Sequence, residues 1–276
     1  MINFPNAKIN LGLNVIKKRL DGYHDIETCF IPIGWCDVLE VIEYDELVFK
    51  NYGLTIAADT KDNLCIKSYQ LIKYNFDLPT VKIVLQKNIP MGAGLGGGSS
   101  NAAHMLKLLN QKFNLQLSDS QLLAYAEKLG SDCPFFIINK PCIGYEKGNV
   151  LKPINLNLKN LCLLVIYPAK HVSTASLYEL IKPQKTTNEL EKILSTVTIE
   201  EWKYLVRNDF EPIVFTIYPE IKKIKEKLYE QGALYAQMSG SGSSVFGIFK
   251  EKPDLSWIKE FNYTFWFGNL EYIPND

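Results

Sequence analysis

The first clear pattern along the chain is an alternation. Ile9, Leu11, Leu13 and Val15 fall on one side of an extended segment, and Lys8, Asn10, Gly12 and Asn14 fall on the other. A period of two marks a half-buried strand, here with Lys8 and Asn10 sharing a polar face. The stretch Arg19-Leu20-Asp21-Gly22-Tyr23-His24-Asp25 follows, and its Asp-Gly pair marks a turn. Strand-like runs come next at 26–33 and 37–44, then an apolar β-type run at 81–85 that Pro90 closes. Helical spacing then takes over. Ala102, Met105 or Leu106, Leu109 and Phe113 recur every 3.6 residues and predict a helix over 101–113. Ser118 is suited to cap a second helix at 119–129, with Leu122, Leu123, Ala126 and Leu129 on one side and Gly130 at its end.

Turn residues crowd the stretch 139–160, where Lys140-Pro141, Lys147-Gly148-Asn149 and Pro153 predict a domain boundary. Beyond it a buried-type strand is expected at 161–167, helices at 186–206 and 219–231, and strands at 245–249 and 263–267. The strand at 245–249 is entered through a second glycine-serine loop, Met238-Ser239-Gly240-Ser241-Gly242-Ser243-Ser244. Strands and helices alternate in an α+β manner, with no repeats and no low-complexity tract.

Composition narrows the function classes. A chain of 276 residues has room for one large or two ordinary domains. Its 30 basic and 30 acidic residues cancel, and no basic stripe stands out, which argues against nucleic acid as a partner. Any bound anion is then held by a local site. The six cysteines, at 29, 36, 65, 133, 142 and 162, form no C-x-x-C pair and no zinc spacing, so free buried thiols in a reducing cytosol are expected. The first twenty residues have no apolar signal core, and no run reaches the ~18 apolar residues of a membrane span. A cytoplasmic protein that uses no membrane is expected.

The local anion site is the loop Pro90-Met91-Gly92-Ala93-Gly94-Leu95-Gly96-Gly97-Gly98-Ser99-Ser100. Phosphate binding needs backbone N–H groups aimed into a concavity, favours a helix start, and uses glycine for close approach. This loop supplies all three between a β-type run and an amphipathic helix. The plainer reading, a flexible linker, does not explain that placement. A Walker A loop would end in Gly-Lys-Ser/Thr, and here Gly98-Ser99-Ser100 lacks the lysine. A dinucleotide fingerprint is formally present as Gly92-x-Gly94-x-x-Gly97 with Asp119 downstream, but it needs a second strand. Leu115-Gln116-Leu117 is too short for one, and Ser118-Asp119 reads as a helix start.

With Asn101-Ala102-Ala103 added, the loop resembles the P-x-x-x-G-L-G-S-S-A-A phosphate loop of the GHMP kinases. Three more stretches are similar to motifs of one branch of that family. They are Ala7-Lys8-Ile9-Asn10-Leu11-Gly12-Leu13 with Asp21-Gly22-Tyr23-His24, then Gly130-Ser131-Asp132-Cys133-Pro134-Phe135, and the second glycine loop. All four lie in the family's order and span nearly the whole chain. Ala93 and Cys133 depart from its pattern without removing a catalytic group.

The resemblance implies a two-domain α+β fold with the active site in the cleft between domains. Residues 1–155 would be the ATP-binding domain and 156–276 a ferredoxin-like, substrate-side domain. It implies transfer of the γ-phosphate of ATP, with Mg2+, to the 2-hydroxyl of a cytidine-diphosphate-linked methylerythritol in non-mevalonate isoprenoid synthesis. Asp132 would be the base or hydroxyl-positioning group and Lys8 its charge partner. The loop from Pro90 through Ala102 would hold the ATP phosphates, Asn63 and Lys87 the adenine side, and Ser100 the metal. Asn10 would bind the polyol, Tyr23 and His24 the cytosine, with Tyr178 on its other face and Thr174 nearby. Gly240 and Ser241 would form the wall near the diphosphate. Apart from the resemblance, Asp132 is an ordinary turn aspartate, Lys8 an exposed strand lysine, and Tyr23-His24 ordinary surface. Two other functions compete: a family kinase acting on a sugar, homoserine or a mevalonate-type alcohol, and a nucleotide-binding protein without catalysis. Tyr23 and His24 weigh against the first, since those acceptors carry no base, and the intact Lys8 and Asp132 against the second.

Overall fold

The computed structural model describes residues 1–56, 62–184, 189–261 and 263–270. Three four-stranded sheets organise them. In the first, β1 (Ile2–Asn3), β4 (Val38–Glu43), β6 (Val81–Lys87) and β5 (Val48–Gly53) lie in that order, with only β5 and β6 parallel. The second is an antiparallel sheet of β2 (Asn6–Lys18), β3 (His24–Cys36), β7 (Cys142–Tyr145) and β8 (Val150–Pro153). The third runs β10 (Tyr235–Met238), β11 (Val245–Phe249), β9 (Cys162–Tyr167) and β12 (Thr264–Asn269), all antiparallel.

The expected apolar face of β2 is buried as predicted. Ala7, Ile9 and Leu11 pack in one core with Leu163 and Val165 of β9 and Phe246 of β11. The polar face differs from a half-buried expectation, because Lys8 and Asn10 are only 4% and 3% exposed. The cause is the position of β2 at the end of its sheet. An edge strand presents a free row of N–H groups that need partners. Lys8 N–H donates to the Leu95 carbonyl, Asn10 N–H to Ser239 Oγ, Gly12 N–H to Gln237 Oε1, and Leu13 N–H to the Arg207 carbonyl. Both glycine loops are thereby docked on one strand edge, and they cover its polar face.

Helices α1 (Leu64–Lys73), α2 (Gly97–Lys112), α3 (Asp119–Glu127) and α4 (Cys133–Ile138) share an apolar core with the first sheet. Helix α2 starts four residues before the predicted 101, at Gly97. Glycine and serine carry no apolar period, so the spacing of large residues cannot locate a first turn built from them. Ser118 caps α3 as expected, with Gln121 completing a capping box. No strand forms at 115–117, where Asn114 and Gln116 have positive φ, so the dinucleotide reading fails on geometry. The turn-rich 139–160 is not one long connection. It holds the β7–β8 hairpin, whose turn includes Glu146 and Gly148 at positive φ, and the chain passes on to β9 only after Pro153.

Beyond β9 come α5 (Thr174–Leu180), α6 (Leu190–Thr196), α7 (Trp202–Leu205), α8 (Glu211–Ile217), α9 (Pro219–Glu230) and α10 (Ser256–Glu260). The helix expected over 186–206 begins outside the described residues, which omit 186–188. The remainder is broken, because Val197 and Thr198 are extended and Thr198 caps a new turn through Glu201. Ile221, Ile224 and Leu228 of α9 face Ala236 and Val245 of the third sheet in one core. All six cysteines are free. Cys36 and Cys162 are half-buried and the other four buried. Among the described residues no helix is long and apolar enough to cross a membrane.

Candidate active site

The loop from Pro90 to Gly96 turns on three glycines with positive φ, Gly92, Gly94 and Gly96. Two of these positions also lack room for a side chain. A Cβ on Gly94 would lie 1.9 Å from the Ser239 carbonyl oxygen, and one on Gly96 would meet Phe136 at 2.8 Å and Lys8 Cε at 3.1 Å. Gly96 caps α2 without a side-chain hydrogen bond, which leaves first-turn N–H groups for an anion. The second glycine loop is bound to the first. Ser239 Oγ donates to the Gly94 carbonyl at 2.8 Å, and Ser244 N–H donates to the Ala93 carbonyl at 3.1 Å. Buried Asn208 holds the second loop from behind, its amide donating to the carbonyls of Met238 and Gly240 at 2.8 Å each.

Lys8 reaches the point where the loops meet. Its ammonium donates to the Gly94 carbonyl at 3.0 Å and to Asn10 Oδ1, and lies 3.5 Å from Asp132 Oδ2. Burial pushes the Lys8 pKa below its ordinary value, with the Asp132 charge opposing that shift. Asp132 sits at the start of α4, ahead of Pro134, yet its side chain does not cap that helix. Its carboxylate is 35% exposed and faces the cavity. Asn10 is fixed by its amide, which donates to Thr28 Oγ1 at 3.0 Å.

A cavity of about 800 Å3 joins these groups to an aromatic end. Tyr23, His24 and Tyr178 line that end. His24 stacks on Tyr178, with ring centroids 4.8 Å apart and planes 19° from parallel. The Tyr178 ring therefore lies on His24, where a free face toward a base bound by Tyr23 was expected. Burial, with the Asp132 charge, pushes the Tyr178 hydroxyl up to about 12. Burial, with Lys18 nearby, lowers the His24 pKa, favouring the neutral ring. Thr174 and Ser241 bridge the opposite wall through their hydroxyls, 2.7 Å apart.

Most predicted residues converge on this cavity, including loop residues 90–94 and 96–99, Gly240 and Ser241. Six do not line it. Leu95 and Ala102 are core residues. Asn63 caps α1, its Oδ1 accepting from Cys65 N–H at 2.9 Å. Lys87 is fully buried on Asp37, too deep to contact adenine. Asn101 donates its amide to Asp37 Oδ2 at 2.8 Å. Ser100 faces inward, with its fully buried hydroxyl 3.3 Å from His104 Nδ1, and Ser99 takes the cavity position instead. Sequence reasoning missed Lys18, Lys147 and Glu179 on the cavity wall. Lys147 stands over the Tyr23 ring at 4.9 Å, and its Lys-Gly-Asn turn reads in sequence only as punctuation. Among the described residues no three His, Cys, Asp or Glu side chains cluster to hold a metal.

Comparison with known proteins identifies the family. The family model of the GHMP kinases N terminal domain matches residues 63–140, and that of the GHMP kinases C terminal domain matches 192–264. A 4-diphosphocytidyl-2-C-methyl-D-erythritol kinase of Azobacteroides pseudotrichonymphae is 51% identical over 91% of this chain and 94% of its own length. One from Bacteroides fragilis is 49% identical over 93% of this chain and 94% of its own. A crystal structure of 4-(cytidine 5'-diphospho)-2C-methyl-D-erythritol kinase superposes with a TM-score of 0.80 at 30% identity, covering 97% of this chain and 98% of that one. The Methanococcus jannaschii mevalonate kinase shares the fold, with a TM-score of 0.73 at 18% identity and 97% of each chain covered. With both domain models matched and close relatives alike over most of their length, this chain belongs to the GHMP kinase family, in the group whose curated members are named 4-diphosphocytidyl-2-C-methyl-D-erythritol kinase.

Proposed function

We propose that the chain transfers the γ-phosphate of ATP to the 2-hydroxyl of 4-diphosphocytidyl-2-C-methyl-D-erythritol, a step of non-mevalonate isoprenoid synthesis. The observation that carries the reading is the Lys8–Asp132 pair at the junction of the two glycine loops, in one cavity with Tyr23 and His24. The N–H groups at the start of α2 receive ATP phosphates. Tyr23 stacks on the cytosine, and neutral His24 hydrogen-bonds its edge, as a base-specific site requires. Asn10 positions the polyol, and Gly240 and Ser241 offer donors to the diphosphate.

In the transfer, the acceptor hydroxyl oxygen bonds to the γ-phosphorus. The bond from that phosphorus to the β,γ-bridging oxygen breaks, and its electron pair leaves with ADP. The hydroxyl proton passes to the Asp132 carboxylate. The Lys8 ammonium, 3.5 Å from the Asp132 carboxylate, orients it and offsets charge developing on the transferred group. Mg2+, when bound with ATP, neutralises phosphate charge. Asp132 and Ser99 are oxygen donors facing the cavity, and so small a set fits a magnesium ion carried mainly by phosphate and water. The division into residues 1–155 and 156–276, with the cleft between them, belongs to the same proposal. It is supported by the two family models falling on either side of 155. So does a cytoplasmic protein that uses neither nucleic acid nor a membrane, a reading supported for nucleic acid by the balanced charge of 30 and 30 and for a reducing compartment by the free cysteines.

The test is ADP release with ATP, Mg2+ and a panel of alcohols. The cytidine-diphosphate-linked acceptor should turn over. Turnover of homoserine, mevalonate or a sugar without it would overturn the assignment.

A further inference from the structure

We infer that Asp37 is a positioning residue for ATP, a single buried carboxylate that clasps both ends of the phosphate loop. This rests on the reading that residues 90–99 bind ATP phosphates. Asp37 lies between β3 and β4 and is fully buried, with its own N–H donating to the Pro5 carbonyl at 2.9 Å. Its Oδ1 accepts from the N–H groups of Asn88 and Ile89, at 2.7 and 2.9 Å, just where the loop begins. Its Oδ2 accepts from the Asn101 amide at 2.8 Å, one turn into α2 where the loop has ended. The buried Lys87 ammonium balances the charge on the same Oδ2. That ammonium also lies 2.9 Å from where a Gly97 Cβ would be, against the first residue of α2.

Strand end, loop entry and helix start are therefore referenced to one group. Donors aimed at phosphate help most when they are fixed before the ligand arrives. Opening the clasp leaves the cavity walls in place but frees the spacing of the N–H groups. The loss should fall on ATP and spare the acceptor. Asn101 acts here through Asp37, its amide turned from the cavity.

Three variants test this: Asp37→Asn, Asn101→Asp and the double exchange. Asp37→Asn sets an NH2 group against two donors, and Asn101→Asp sets two carboxylates together. The double exchange restores one donor–acceptor pair and one negative charge beside Lys87. Binding of a non-hydrolysable ATP analogue with Mg2+ is measured by calorimetry, alongside KM for each substrate and the melting temperature. Each single variant should weaken analogue binding about tenfold, the scale of one charge-assisted hydrogen bond, with acceptor KM held within about twofold. The exchange should recover most of that loss. Unchanged analogue affinity in a folded single variant overturns the proposal. So does an equal loss for both substrates, or an exchange that recovers melting temperature but not affinity. Should Asp37→Asn fail to fold, Asn101→Ala opens only the exit end, and unchanged affinity there is equally fatal. No analogue binding by the unaltered chain would overturn the reading of the loop itself, and the proposal with it.

Discussion

Gly94→Ala tests whether the two glycine loops form one rigid unit. The added Cβ would sit 1.9 Å from the Ser239 carbonyl oxygen and 3.2 Å from that of Gly242, at a φ of +76°. Carbon and oxygen in contact need more than 3 Å, so the loops must part by about 1 Å. Two hydrogen bonds cross that seam, Ser239 Oγ to the Gly94 carbonyl at 2.8 Å and Ser244 N–H to the Ala93 carbonyl at 3.1 Å, and a third, Lys8 Nζ to the same Gly94 oxygen at 3.0 Å, depends on it. At about 0.5–1.5 kcal/mol net for each bond, plus about 1–2 kcal/mol for alanine in a left-handed conformation, the loss is roughly 3–6 kcal/mol. At about 2 °C per kcal/mol for a chain of this size, melting should fall by roughly 6–12 °C. Turnover should collapse as well, because Lys8 loses one of its anchors.

The control is Gly98→Ala. Its Cβ would meet only Met91 Cε at 3.6 Å and Leu64 Cδ1 at 3.8 Å, both ordinary contacts. Alanine inside a helix is worth about 0.5–1 kcal/mol over glycine, so this variant should melt at or above the parent temperature. Gly98 lines the cavity, so its new methyl should still raise KM for ATP. Thermal melts and ADP-release kinetics on both variants separate the two effects. A Gly94→Ala protein melting within about 1 °C of the parent would refute the interlocked seam.

Asp132→Asn should lower kcat by about 10²–10⁴-fold, the range of general acid–base catalysis, with KM for ATP changed less than about threefold; a rate within twofold of the parent removes Asp132 from the chemistry. The pH dependence follows from Lys8, which must carry its proton to act. Burial holds its pKa below the ordinary 10.5, so activity should be full well below that pH and decline along an alkaline limb that lies under 10.5. Asp132 opposes the burial effect, so the residual activity of Asp132→Asn should show that limb at lower pH, and an unmoved or higher limb contradicts the pairing. Tyr23→Ala should raise KM for the cytidylyl acceptor about 10–100-fold, the loss of one base-stacking partner, and leave KM for ATP unchanged. Equal effects on both substrates would move the base site elsewhere.

Long periodic segments were legible in the sequence. The strand carrying Lys8 and the amphipathic body of α2 have apolar spacing over many turns of one period. Short apolar strands such as β9 and β11 were legible too, but short elements of mixed polarity were not. Strand β5 and helix α1 follow Tyr44-Asp45-Glu46 and lie in a stretch of mixed polarity, and β7 and β8 are four residues each, edged by Pro141 and Pro153. Their stability comes from neighbours, with β5 paired to β6 and α1 packed on α2, and a local pattern does not record neighbours. The site divides the same way. Glycine spacing was readable because positive φ demands glycine wherever the loop forms, whereas Asp132 was readable only through the family resemblance. The inward turn of Ser100 and the cavity face of Ser99 were not, since both serines suit a helix start and only the helix's rotation chooses between them.

Lys8 carries the argument furthest. By alternation alone it is a surface lysine, and every local rule agrees. What overrides those rules is that, among the described residues, no strand flanks β2 on one side. Its unpaired N–H groups must find acceptors, and Leu95 and Ser239 supply them from loops 87 and 229 residues away in sequence. The same bonds that satisfy the strand edge bring both glycine loops over Lys8, remove it from water, and aim its ammonium at Asp132. The proposed reactive pair and anion cradle are therefore one consequence of finishing a sheet edge. That is why a methyl group on Gly94, whose carbonyl accepts from the Lys8 ammonium, is expected to cost both stability and catalysis together.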